Sequence, residues 1–345
     1  MNLNKKSKIR FIRTILQYSL LSDKMWKCKE CGDSINPPSD ICTICGKPTA
    51  IYSNIVFASE DEPELKNRFS KCEAEYQNTG KKHYCDELIK FLEENISVSI
   101  NMRPESLINI LSDPRIRYVN LHDNIRAKAI ENLDSRIIAK RLMVDSVFGI
   151  DGDKINYGAL NLGTIGLISY GKCCVFLKNE EISNRVSFLE ENSFSYVKGS
   201  WPSINLSIPY GIRALWHTVA ILTLVKHHKE FLSSKLNKEV ISNMILFSEV
   251  NRKSDRYIEA QICPPIILST IDKVLYYETE IPPEMARLVN SYYKSKTSIK
   301  KKDLIKLCAS IDEEYLGDLL SFESKIKKLD IEFEVVEIAS KESSL

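Results

Sequence analysis

Polar and apolar residues alternate in the run NISVSI, which reads as a strand ending at Ile100, and the chain then passes through Asn101, Met102 and Arg103 to Pro104. Pro104 is suited to the first turn of a helix, so PESLINILSD predicts one and the pair makes a strand-to-helix junction. Farther along, Ile125, Ala129, Leu133, Ile137 and Met143 recur near helical spacing, which predicts an amphipathic helix over residues 124 to 145. The runs INYGALNL, KCCVFLK, RVSFL and SFSYVK are short and punctuated by Gly, Asn and Ser, the pattern of strands in a mixed or antiparallel sheet. PYGIRALWHTVAILTLVKHHKEFL and NKEVISNMILFSEV predict a helical hairpin, and RYIEAQI alternates again like a half-buried strand ending at Pro264-Pro265. Beyond it, PPEMARLVNSYY and KKDLIKLCASIDEEYLGDLLSFESKIKKL predict helices, with IEFEVVEIA as a closing strand or tail. The whole pattern is that of an α+β protein, a mixed β-sheet core with helical elaborations, and no internal repeat is visible.

With 345 residues, 43% of them hydrophobic, the chain can bury one large core or two modest ones and still carry a small metal-held module. Such a module is written near the start. Cys28, Cys31, Cys42 and Cys45 form two C-x-x-C pairs in CKECGDSINPPSDICTICG, a spacing that lets four thiolates close a tetrahedron around structural zinc and leaves no place for a substrate. Gly32 and Gly46 permit tight backbone turns after each pair, and Pro37-Pro38 stiffens the loop between them. A disulfide pair or free thiols are the alternatives to this zinc ribbon. The chain thus divides into a basic N-terminal helix (1 to 24), the ribbon (25 to 50), a main domain (60 to 295) reached through the charged connector SEDEPELKNR, and a helical C-terminal extension (296 to 345).

No stretch approaches 18 consecutive apolar residues, and KKSKIRFIRTILQYSLL lacks a small-residue cleavage site, so no membrane association and a cytoplasmic location are expected. Net charge is only +2, but residues 5 to 29 and 294 to 306 are each strongly basic. Either segment is able to meet phosphates, or simply to solubilise the surface.

Several familiar chemistries are absent. GLISYGKC, Gly166 to Cys173, comes close to a phosphate-binding loop, but a cysteine replaces the required hydroxyl and the strand-like CCVFL replaces the helix. The chain has no G-x-G-x-x-G, G-x-S-x-G or H-E-x-x-H pattern. Cys72, His83 and Cys85 offer only three ligands for a second metal cluster. His217 reads as a packed histidine, His227-His228 as a solvated helix terminus, and Cys173-Cys174 as core. In RYIEAQI, strand alternation turns Tyr257, Glu259 and Gln261 to one face, either an active-site wall or a solvated outer surface.

From about residue 95 to 275 these segments resemble the ADP-ribosyltransferase superfamily, including its bacterial toxins. The resemblance lies in the strand leading to Arg103-Pro104-Glu105, the Tyr157-Gly158 and Tyr170-Gly171 strands, RVSFLEENS and YIEAQI. It implies a compact mixed β core that binds NAD, with Glu259 catalytic and Arg103 or Asn101 contacting the dinucleotide. It further implies Tyr157 and Tyr170 as candidates to stack on nicotinamide, Ser187 or Ser193 to brace the glutamate, and Gln261 beside it. Arginine-modifying relatives carry an acidic residue two positions before the catalytic one. Tyr257 stands there, so arginine is not the expected acceptor. The ribbon and its basic neighbour direct the expectation to a nucleic-acid acceptor, RNA ahead of DNA. The resemblance further implies the toxin of a toxin-antitoxin or phage-defence system, with an antitoxin protein as partner. A protein acceptor, or a non-enzymatic zinc-bearing nucleic-acid binder, are the alternatives.

Overall fold

The computed structural model describes residues 26–27, 34–35, 44, 52–120, 135–199, 205–233, 236–249, 254–278, 329 and 331–337. Two short strands, β1 (Trp26–Lys27) and β2 (Ser34–Ile35), pair antiparallel near the N-terminus. Helices α1 (Ser53–Asn78) and α2 (Lys82–Asn95) lead into β3 (Ser97–Met102) and α3 (Pro104–Ser112). Helix α4 (Ser135–Asp145), which runs into a 3-10 segment, precedes β4 (Asn156–Asn161), β5 (Cys173–Leu177), α5 (Asn179–Ile182) and β6 (Val186–Leu189). A small hairpin, β7 (Val197–Lys198) and β8 (Asn205–Leu206), is followed by β9 (Arg213–Leu215) and helices α6 (Val219–Lys226), α7 (His228–Ser233) and α8 (Lys238–Ile245). Strands β10 (Glu259–Ile262), β11 (Ile271–Glu278) and β12 (Glu332–Glu337) complete the order.

The main sheet has eight strands in the order β12-β11-β5-β3-β4-β10-β6-β9. Every neighbouring pair is antiparallel except β11 and β12, which run parallel and make the sheet mixed. The expected α+β architecture is therefore present. No described helix is long and apolar enough to cross a membrane.

Registry separates two chemically different faces. Val98, Ile100, Leu160, Val175, Phe188, Ala260 and Ile262 point into the large core, where α2, α3, α6 and α8 supply Leu88, Leu107, Leu222 and Ile245. On the opposite face Ser99, Ala159, Glu259, Leu189 and Arg213 form one row across β3, β4, β10, β6 and β9. Tyr157, Gln261 and Ser187 form the adjacent row. Ser99, Glu259, Gln261, Ser187 and Arg213 are nonetheless buried, because this polar face is covered as well.

Three local expectations are corrected. The stretch SEDEPELKNR is no connector but the middle of α1, which continues through Pro63. Asn54, Phe57, Ala58, Asp61 and Leu65 all lie on the buried side of that helix, and this burial outweighs one lost main-chain donor. The predicted helix at PYGIRALW begins with strand β9, since Arg213 and Ala214 pair with Leu189 and Phe188 at the sheet margin. SFSYVK is mostly a 3-10 turn, Ser193–Tyr196, capped by the Asn192 side chain. The 124–145 helix is described over Ser135–Asp145 only, and the four zinc-ribbon cysteines and the 294–306 basic run lie outside the described residues.

Candidate functional site

The polar face converges on Glu259, which is only 1% exposed. Its Oε2 accepts hydrogen bonds from the Ser193 hydroxyl at 2.9 Å and the Ser193 backbone N–H at 3.2 Å, and its Oε1 accepts from Gln261 Nε2 at 3.1 Å. The 3-10 turn after β6 presents both Ser193 donors, while strand alternation brings Gln261 two residues along the same face. Burial pushes the Glu259 carboxyl above the ordinary carboxylate range, opposed by the charge of Arg141 and by the donors of Gln261 and Ser193.

Arg141 is the cation of the site. Its guanidinium carbon lies 3.7 Å from the centre of the Tyr157 ring and 4.6 Å from that of Phe194, so it is held between two aromatic faces. Nη1 lies 3.6 Å from Asp145 Oδ1 one turn later on α4, yet this buried nitrogen has no hydrogen-bond partner. Burial opposes the charge, but Tyr157, Glu259 and Asp145 outweigh it and hold the guanidinium ionised. The Tyr157 hydroxyl donates to Asp145 Oδ1, and burial raises the phenol well above its usual range. A buried carboxylate is thus set beside a stacked guanidinium with one donor to spare.

Of the residues expected from the sequence, Glu259, Gln261, Tyr157, Ser187 and Ser193 come together here. Ser187 does not brace the carboxylate directly, since its hydroxyl meets Gln261 Oε1 at 3.3 Å. Asn101 lies on the same sheet face but is committed to the 162–171 loop. It donates to the Ile165 and Gly171 carbonyls, both at 3.2 Å, and accepts from Leu167 N–H at 2.7 Å. Gly166, at φ +73°, is required there, because a Cβ would stand 2.2 Å from Asn101 Oδ1. Tyr170 is 38% exposed at the end of that loop and hydrogen-bonds Tyr257 rather than the Glu259 group. Arg103 is exposed at the N-terminus of α3, where its carbonyl accepts from Ser106 and Leu107.

The alternative of a solvated outer face for RYIEAQI is overturned by the burial of Tyr257, Glu259 and Gln261. The histidine expectations reverse. His217 is exposed and pairs with Glu62 at 3.3 Å, whereas His227 and His228 are buried. Among the described residues no group of three or more His, Cys, Asp or Glu side chains could hold a metal. His83 faces solvent and Cys85 is buried.

Arg141, Asp145 and Phe194 were not legible as site residues. An arginine in RLMVD reads as the polar side of a surface helix, and no local signal indicates that it stacks on Tyr157 and Phe194 with its charge acting on Glu259, more than a hundred residues away. No protein-family model matches the chain, and no curated protein matches it.

Proposed function

We propose that the chain is an NAD-dependent mono-ADP-ribosyltransferase with a nucleic-acid acceptor, RNA in preference to DNA, serving as the toxin of a bacterial toxin-antitoxin or phage-defence system. The observation that carries this reading is the buried Glu259 carboxylate on a central strand, held by Ser193 and Gln261 and facing Arg141.

The chemistry needs such a group. Cleavage of the nicotinamide–ribose bond releases neutral nicotinamide with the bonding electron pair and leaves positive charge on the ribose. An acceptor oxygen or nitrogen then bonds to that carbon and loses its proton. Glu259 supplies a fixed negative charge that stabilises this transition state more than the ground state. The spare donor of Arg141 Nη1 suits a phosphate oxygen, so Arg141, not the exposed Arg103, is the guanidinium assigned to the dinucleotide. Because Glu259 is 1% exposed, substrate entry in this reading requires the cover of this sheet face to open. Cys28, Cys31, Cys42 and Cys45 form a donor set that fits structural zinc, and in this reading the ribbon and its basic arm hold the acceptor.

Labelled NAD offered separately to RNA, DNA and protein tests the proposal. Label should enter RNA, and Glu259→Gln should reduce transfer by roughly a hundredfold or more. Label in protein alone overturns the acceptor. Salt-sensitive nucleic-acid binding with no nicotinamide release leaves a non-enzymatic binder instead.

A further inference from the structure

We propose that Asn54 is a positioning residue of this site, setting through Ser187 which end of the Gln261 amide faces Glu259. The inference rests on the reading of Glu259 as the acting carboxylate. Its force comes from the direction of each hydrogen bond, which follows from what each atom is able to donate or accept.

The chain of bonds begins on α1. Asn54 Nδ2 lies 2.9 Å from the Gln261 backbone carbonyl, which only accepts, so this end of the side chain must be the amino group. Asn54 Oδ1 is then turned toward Cys263, whose thiol donates to it at 3.0 Å. The second amino hydrogen of Asn54 goes to Ser187 Oγ at 2.9 Å. Having accepted there, Ser187 directs its own proton to Gln261 Oε1 at 3.3 Å. With its oxygen engaged, Gln261 has only its amino end left for Glu259 Oε1, at 3.1 Å.

Asn54, Ser187, Gln261, Cys263 and Glu259 are all buried, so bulk water does not substitute for a missing link. A reversed Gln261 amide would aim an oxygen at the carboxylate, exchanging a stabilising donor for a repulsive acceptor. The other charged or titratable groups facing Glu259 are Arg141 on α4, Tyr157 on β4, Tyr196 after β6 and Tyr257 before β10, with Asp145 behind Arg141 and Tyr157. Asn54 and Ser187 bond to each other, to Gln261 and to Cys263, so an uncharged replacement at either residue adds no charge beside Glu259.

Two variants separate positioning from structure. Asn54→Leu keeps a similar branched shape without adding charge and removes the donor to Ser187 Oγ, so the Ser187 proton is no longer directed to Gln261 Oε1. Ser187→Ala removes the donor to Gln261 while keeping Asn54 on the Gln261 carbonyl. In the full-length protein, infrared difference spectra taken against Glu259→Gln should show Glu259 titrating about one pH unit higher in each variant, a roughly tenfold rise in proton affinity. The acid limb of kcat for NAD consumption should move up with it, while KM stays within about twofold. If a folded variant, and Ser187→Ala suffices, titrates Glu259 at the wild-type pH, the inference is wrong. If the wild type consumes no NAD, the functional proposal fails, and the infrared titration still decides the role of Asn54.

Discussion

A carboxylate stays ionised in an interior only where donors and an opposite charge surround it, and a histidine without such support stays neutral. Glu259 has such donors and a nearby cation, although burial still raises its pKa, whereas His227 lacks such support at Nε2. His227 Nε2 is buried with no hydrogen-bond partner, and burial, reinforced by nearby Lys226 and Arg256, depresses its pKa to about 4. In the unfolded chain the same group titrates near its ordinary value of about 6.5. Between these values the unfolded state takes up a proton that the folded state refuses, so this contribution to stability is full above pH 6.5 and falls as the solution is acidified toward pH 4. The loss approaches about 3 kcal/mol. Urea unfolding of the wild type and of His227→Gln at pH 7.5 and 4.5 should show a smaller acid loss in the variant. Equal losses would remove His227 from the account.

At the scale of elements, α1 ties the sheet together. Its first turns place Asn54 and Phe57 against the polar face, while Leu65 and Tyr76 join the large core. Between them, Asp61 Oδ2 meets Arg213 Nη1 at 3.1 Å, an ion pair whose side chains are 0% and 1% exposed, and this fastens the helix to β9. A buried pair of this kind adds little over an apolar pair of similar volume, but breaking it leaves one charge uncompensated. Asp61→Ala should therefore cost about 3 to 5 kcal/mol, and the double replacement Asp61→Leu with Arg213→Met should cost clearly less than that. Denaturant midpoints for the three proteins measure the coupling. A double variant as unstable as Asp61→Ala would show that the uncompensated charge is not the cause of the loss. Strands β3, β4, β5, β6 and β10 were legible because their alternation or apolar runs match a pleated sheet. α1 and β9 were not, since a helix rich in Asp, Glu and Lys looks solvated and GIRALW fits either period until a partner strand is present.

For the molecule as a whole, the parallel pairing of β11 with β12 matters most. Parallel neighbours are not joined by a tight hairpin, so this pairing brings together two segments well separated in sequence. Strand β12 covers the outer edge of β11 and adds Phe333 and Val335 to the large core. Removal of residues 329 to 345 should cost about 3 to 5 kcal/mol in lost apolar burial and leave β11 as an open edge. Calorimetry should record a lower Tm, and light scattering concentration-dependent association; an unchanged Tm would mean that β12 is dispensable. From the sequence alone came the α+β pattern, most central strands, and the placing of Tyr257, Glu259 and Gln261 on one face, because these depend on local periodicity. The tertiary structure decided that this face is buried, that Arg141 stacks on Tyr157 and Phe194 near Glu259 while Arg103 is exposed, and that Asn54 reaches Ser187 across 133 residues. Those outcomes depend on which strands become neighbours, and hydrogen-bond registry between distant segments has no signature in any one of them.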